Sequence, residues 1–320
     1  MLVASGCVSN RSNITRPAGS AAHHVANDWT YLIWTSVAVL AIITILLLWA
    51  VVFRRNRGPN PARNPRGGVW LIVVGGVMLP VMLLSTEWAL SNVTLASIAD
   101  PGKPALTITV IGHQWWWELR YPAPGGGTFT TANEIHVPVG VPVRFVLRSA
   151  DVNHSFWVPE LAGKTDLIAG RVNGFTTTVT TPGTYYGQCA EFCGLQHAHM
   201  LILVVAQPQA AFQSWLANQA APAPTPRSPS LQQGEQVFVN GPCSACHTIR
   251  GTPADGTVGP DLTHVGSRQR LAANSVPNTP GYLGGWISDS QTIKPGNLMP
   301  PIALAPKNLQ DVISYLESLK

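Results

Sequence analysis

The sequence predicts a multi-domain membrane protein: a two-helix transmembrane hairpin, then an all-β sandwich, then a small all-α domain. Three observations carry this reading. Two long apolar runs lie near the N-terminus, short strand-like segments broken by Gly, Pro and Asn fill the middle, and a proline-rich break precedes helical periodicity at the end. At 320 residues the chain exceeds one ordinary core and fits two or three. Charged residues make up only 11% of it, and much of the net +5 comes from five arginines in one short loop, Arg54, Arg55, Arg57, Arg63 and Arg66. That distribution bears on membrane topology and offers no nucleic-acid footprint.

Residues 30–53 hold no charged side chain and are long enough to cross a bilayer core of about 30 Å as a helix. A second run from Val69 continues to about Leu90, with Trp70 and Trp88 as interfacial anchors and Gly75, Gly76 and Pro80 tolerable inside a span. The arginine loop between them holds no acid, so it is expected on the cytoplasmic side of a bacterial inner membrane. Both termini and everything after residue 90 are then expected on the periplasmic side. In MLVASGC, Cys7 resembles the lipidated cysteine of a bacterial lipoprotein, but only six residues precede it, so lipidation and an incidental cysteine both stand.

From Leu106 to Val205, LTITVIG, EIHVPV, PVRFVLRSA, GFTTTVTTPG, TYYGQC and MLILVVA read as short strands of an antiparallel sandwich or barrel. Residues 208–220 read as a closing helix. Residues 221–230, APAPTPRSPS, read as an extended semi-rigid linker spanning about 31 Å. Beyond it, Ser230 is the expected cap of a helix over LQQGEQVFV, and Leu309, Val312, Ile313, Leu316 and Leu319 share one face of a last helix. The expected organisation is an N-terminal periplasmic segment 1–28, a hairpin 29–91, a sandwich 92–220, a linker 221–230 and a helical domain 231–320.

CAEFCGLQHAHM, residues 189–200, gathers two thiols, two imidazoles and a thioether. Soft sulfur with imidazole selects copper or zinc over calcium and magnesium. On spacing alone copper, zinc and a Cys189–Cys193 disulfide all stand. Met200 shifts the balance, because zinc does not normally recruit a thioether, whereas His, Cys and an axial Met on a β-sandwich make a copper electron-transfer site. His154, in DVNHSFWVP between predicted strands, is the further candidate ligand, and two bridging thiolates suit a pair of coppers that share one electron.

CSACH, residues 243–247, is the pattern in which Cys243 and Cys246 form thioethers to haem and His247 binds iron. A disulfide or half a zinc site is the bland alternative. Met299 in PGNLMPP is the expected second axial ligand, with His264 the competitor, and His/Met ligation suits electron transfer.

Together the two spans, GHQWWWELRYP at 112–122, DVNHSFWVPELAGKTD at 151–166 and GTYYGQCAEFCGLQHAHM at 183–200 resemble the copper-A subunit (subunit II) of haem–copper cytochrome oxidases over residues 25–215. GPDLTHVGSR and LMPP resemble class I cytochrome c segments, so the whole resembles the caa-type fusion. The resemblance implies a cupredoxin-like sandwich and a cytochrome c domain. It implies a binuclear copper A on His154, Cys189, Cys193, His197, Met200 and the Glu191 carbonyl, with the Glu191 carboxylate on a magnesium shared with subunit I. His199 has no matching role and reads as a surface residue. It also implies one covalent haem c, and partnership with subunit I, subunit III, membrane lipid and an external donor, either a cytochrome or cytochrome c reductase.

Alternation along a strand puts Trp115 and Trp117 on one face and Trp116 on the other. The resemblance matches Trp115 to an exposed tryptophan where electrons enter, reached by a tethered haem domain. Two departures from the resembled family stand out: it usually carries a glutamate associated with proton entry shortly before the tryptophan matched by Trp70, where this chain has Arg66, Gly67, Gly68 and Val69, and Ala169-Gly170 replaces its Pro-Gly. The expected function is to accept electrons at haem c and pass them through copper A to subunit I of a proton-translocating oxidase. The alternatives are the equivalent subunit of a copper-A nitric oxide reductase and a non-enzymatic periplasmic zinc or disulfide module.

Overall fold

A computed structural model describes residues 12–54, 65–99 and 103–320; Cys7 and the loop arginines Arg55, Arg57 and Arg63 lie outside the described residues. Two compact units emerge, His23–Asp100 and the remainder of the chain.

In the first unit, α1 (Ser20–Arg54) is followed by α2 (Pro65–Val73), a π-helical turn Val74–Met78 and α3 (Leu79–Ala99). The turn has a local cause. Pro80 has no N–H to give the Gly76 carbonyl, its ring crowds that turn, and the ladder widens so that Leu79 N bonds Val74 O. Both helices contain apolar stretches long enough to span a bilayer, and neither stretch is covered by other described residues. Both helices run beyond the expected spans, to Ser20 and Ala99. The pair is stitched by Thr94 Oγ1 donating to Asp28 Oδ1 at 3.1 Å and Tyr31 Oη to Leu83 O at 3.5 Å.

The second unit holds two cores. The larger belongs to a sandwich of two five-stranded sheets. One orders β3 (Thr128–Ala132), β2 (Trp116–Pro122), β1 (Leu106–His113), β5 (Pro142–Ser149) and β8 (Asn173–Thr178). The other orders β4 (Glu134–Pro138), β10 (Leu201–Gln207), β9 (Gly183–Cys189), β6 (His154–Trp157) and β7 (Thr165–Leu167). Trp117, Leu119, Ile108, Phe145 and Ile202 interdigitate between the sheets. The expected antiparallel arrangement needs correction, because β1–β5 and β4–β10 pair in parallel. Long crossovers join those strands, which alternation within each strand does not reveal. The segment before α1 also belongs here: Ala18 and Gly19 donate to Glu160 O, and Thr180 N to Ala18 O.

Helix α4 (Gln209–Ala220) closes the sandwich by burying Phe212 and Leu216. The smaller core lies among α5 (Pro229–Asn240), α6 (Pro280–Ser288), the short α7 (Ser290–Ile293) and α8 (Pro306–Ser318), with a two-stranded β11 (Arg270–Leu271) and β12 (Val276–Pro277). The α5 cap is Ser228, whose Oγ accepts from Leu231 N, with Pro229 at the first helical position. Ser230, the expected cap, instead lies inside the helix and donates to Asp311 Oδ1 at 2.5 Å. Along α8, Val312, Ile313 and Leu316 are buried as their spacing predicts, together with Tyr315.

The expected extended linker is also corrected in its placement. Residues 221–228 lack regular structure, but Ala223 N donates to Arg250 O at 2.8 Å and Ala221 O accepts from His264 Nε2 at 3.0 Å. These bonds lay the proline-rich stretch along the helical domain.

Candidate functional site

The strand β9 ends at Cys189, and the 3₁₀ turn His197–His199 returns the chain to β10. Cys189 N donates to Met200 O at 2.9 Å, which closes residues 189–200 into one loop. The neighbouring β6 brings in His154, with Phe156 opposite Cys189 in register. The sulfurs of Cys189 and Cys193 lie 3.8 Å apart. His154 Nδ1 lies 3.9 Å from Cys189 Sγ, His197 Nδ1 3.6 Å from Cys193 Sγ and Met200 Sδ 3.8 Å from Cys193 Sγ. The Glu191 carbonyl lies 3.2 Å from Cys189 Sγ. Every candidate ligand read from the sequence therefore converges on one buried point.

The thiols are free, and 3.8 Å is far beyond the ~2.05 Å of a disulfide bond. The hydrogen bond from the Cys193 thiol holds Cys189 far below the usual thiol range despite burial, and the adjacent thiolate with burial pushes Cys193 far up. Sulfurs this close can both give up their protons only with a cation between them. Burial works against the charged form of His154, but the Cys189 sulfur and Asp151 outweigh it and raise its pKa. Three sulfurs with two imidazoles and a carbonyl fit copper better than zinc, since a thioether is among them.

Around these donors stand residues that sequence reasoning passed over. Asp151 Oδ1 lies 2.8 Å from His154 Nε2 and its Oδ2 accepts from Gln114 N, so it fixes the tautomer that leaves Nδ1 facing the thiols. Its signal was available three residues before His154. Gly112 leaves room for the imidazole, because a Cβ there would lie 2.7 Å from His154 Cδ2.

The tryptophan run differs from expectation. The strand β2 starts at Trp116, and Trp115 precedes it; Trp117 is fully buried and Trp116 stacks on His113 at 4.4 Å. Trp115 is only 8% exposed rather than open and packs into the sandwich core, while Lys294 of the helical domain donates to its carbonyl at 2.7 Å. Its indole Nε1 donates to Cys193 O at 2.9 Å. His199 is exposed, as expected.

In the helical domain Cys243 and Cys246 are free and half-buried on the turn after α5. His247 Nδ1 donates to Pro260 O at 2.8 Å, which leaves Nε2 as the ligand atom. Burial lowers its pKa, favouring the neutral, ligating form. Gly259 is required beside it, since a Cβ would come within 2.5 Å of its Cε1. The Met299 backbone is pinned on both sides: its N–H donates to Asn297 Oδ1 at 2.8 Å and its carbonyl accepts from Ser290 Oγ at 2.6 Å. His264 has both ring nitrogens against carbonyls, of Lys320 and Ala221, and serves as a buried clamp. Cys243, Cys246 and the free Nε2 of His247 lie together on one turn, as haem attachment requires, whereas both His264 ring nitrogens are taken up by carbonyls.

The two domains share a polar seam. Gln269 N donates to Glu134 Oε2 at 2.9 Å, Asn274 Nδ2 to Asn133 O at 2.6 Å, Leu201 N to Ala273 O at 3.2 Å and Gln196 Nε2 to Pro295 O at 2.6 Å. Two one-electron ligand sets on one compact body, in a chain that also carries a membrane hairpin, define a membrane-anchored electron-transfer protein.

The family described as Cytochrome C oxidase subunit II, periplasmic domain, matches residues 127–207, and the family Cytochrome c matches residues 231–320. Cytochrome c oxidase subunit 2 of Alkalihalophilus pseudofirmus is 34% identical over 89% of this chain and 83% of its own, and that of Bacillus subtilis 29% identical over 100% and 95%. Among solved structures, the periplasmic domain of subunit II of cytochrome oxidase (CoxB) of Bradyrhizobium japonicum is 34% identical, covering 37% of this chain and 95% of that one, with a TM-score of 0.35. The chain belongs to the cytochrome c oxidase subunit II family. It is a membrane protein and the electron-accepting subunit of a cytochrome c oxidase, associated with other oxidase subunits, and its fused cytochrome c domain marks the caa type. Copper A and haem c are the groups these two domains imply.

Proposed function

We propose that electrons from an external cytochrome or from cytochrome c reductase are received in the helical domain, at Cys243, Cys246, His247 and Met299. They pass to a two-copper site on His154, Cys189, Cys193, His197, Met200 and the Glu191 carbonyl, and then to subunit I, where oxygen is reduced and protons are moved. The observation that carries this reading is the contact between the two sites' own segments: the stretch leading to Met299 touches Trp115 and Gln196, beside the ligand-bearing loop. Copper held by soft sulfur and iron held by His and Met each supply a one-electron step with little change of geometry.

The chain's residues do the rest. Asp151 orients His154, Pro260 orients His247, and Trp115 joins the two regions as the point where electrons arrive. In the same reading, the Glu191 carboxylate takes part in a magnesium site with subunit I, subunit III and lipid surround the hairpin, and residues 1–28 and 92–320 stand on the periplasmic side. The domain limits proposed are 29–91, 92–220 and 231–320, joined by 221–230.

Purification from membranes tests this. The expected outcome is co-purification with a large oxidase subunit, two coppers and one acid-stable haem per chain, and oxygen uptake driven by reduced cytochrome. Zinc in place of copper, or nitric oxide reduction without oxygen uptake, would sink the reading. Reporter fusions after Gly58 and Ala220 check the sidedness, and a periplasmic signal from the first would reverse it.

A further inference from the structure

We propose that Lys294 positions the haem-bearing domain for electron transfer, by holding the segment that leads to Met299 against Trp115. The inference rests on the electron route proposed above and adds a residue to it.

Lys294 follows α7 and is 3% exposed, yet no carboxylate pairs with it among the described residues. Its ammonium is held on two carbonyls instead, Trp115 O at 2.7 Å and Ala272 O at 3.5 Å. A buried amine without a carboxylate partner is costly, and a methionine, apolar and nearly as long, would fill the space more cheaply. Stability alone therefore does not account for a lysine here.

What the lysine does is complete a path. Met299 N donates to Asn297 Oδ1, and Asn297 Nδ2 donates to Lys294 O at 2.7 Å. Lys294 Nζ reaches the Trp115 carbonyl, and the Trp115 indole reaches the Cys193 carbonyl at 2.9 Å. Each link is a covalent segment or a hydrogen bond, from the candidate iron ligand to a candidate copper ligand. Electron tunnelling decays more steeply through space than through bonds, so removing the one link between domains on this path lengthens it where it is weakest. Gln196 Nε2 to Pro295 O is a second bond across the seam, but it does not pass through Trp115. In the step itself one electron leaves the group held by His247 and Met299 and reduces the group held by Cys189 and Cys193. No atom or proton moves, Lys294 is unchanged, and the external carrier supplies the next electron.

The test uses the complete oxidase, with the haem reduced by a flash and copper reduction followed by absorbance. Lys294→Met is expected to slow haem-to-copper transfer by about tenfold or more while both metal spectra and both potentials stay as in the parent, with Lys294→Arg recovering most of the rate. Trp115→Gln is measured alongside. An unchanged rate in Trp115→Gln overturns the underlying route. A slowed Trp115→Gln with a Lys294→Met rate within about twofold of the parent overturns the role of Lys294 alone. A Gln196→Met variant that slows transfer as much as Lys294→Met also overturns it, since any seam contact would then serve. Should Lys294→Met fail to hold copper or haem, Lys294→Gln takes its place under the same criteria.

Discussion

Gly112 lies on β1 facing the His154 imidazole, and a Cβ there would stand 2.7 Å from Cδ2 and 2.9 Å from Cγ. A ring held at Nε2 by Asp151 cannot retreat without disturbing that bond. Gly112→Ala is therefore expected to weaken copper binding by about 10–100-fold, the effect typical of disturbing a ligand's support. Competition with a copper chelator measures it. Gly125→Ala, where a Cβ meets nothing within 4 Å, is the control and should bind as the parent does. Equal affinities for all three proteins would show that the imidazole adjusts freely.

At the scale of elements, the helical domain depends on how closely α5 crosses α8. Gly234 permits the approach, because a Cβ would come within 2.2 Å of Asp311 O and 2.7 Å of Tyr315 Cβ. Ser230 and Lys307 meet on the Asp311 carboxylate at the same crossing and hold its pKa below the usual carboxylate range, Lys307 contributing most. Gly234→Ala forces the helices apart and is expected to destabilise the domain by about 1–3 kcal/mol. Thermal unfolding followed at the haem band reads this, at about 4–8 °C per kcal/mol for a domain of this size. A melting temperature equal to or above the parent's would mean that the crossing is looser than it stands here. Because the Asp311 pKa is depressed on folding, its contribution is present above the ordinary carboxylate pKa and is lost as pH falls through the folded value.

For the whole molecule, the seam decides how the haem domain works. Asn274, Glu134 and Asn133 are buried across it, and Arg250 reaches back from the helical domain to Gln219 O and Ala220 O while its guanidinium lies 5.5 Å from the Phe129 ring. Undocking would strip these buried polar groups of their partners, at a cost of about 1–3 kcal/mol each. A domain fixed in this way need not diffuse on a tether before each transfer. Haem-to-copper transfer is accordingly expected to be independent of solvent viscosity, which a glycerol series with flash reduction measures. A rate falling in proportion to viscosity would restore the tethered shuttle.

By itself the sequence determined what depends on neighbours along the chain: the apolar spans, the CSACH attachment turn, and the thiols, imidazole and thioether of 189–200. Such ligands meet because one loop carries them, so spacing alone exposes them. His154 was legible as a candidate because a histidine between strands can face a loop, but the contact with Cys189 came from the β6–β9 register. Only the tertiary structure decided the parallel pairings, the need for glycine at 112 and 234, the burial of Trp115 and the clamp formed by His264. The Lys294 bond to Trp115 spans 179 positions. Pairing at that range is set by which surfaces remain to be buried once each domain has folded, and no local periodicity records that.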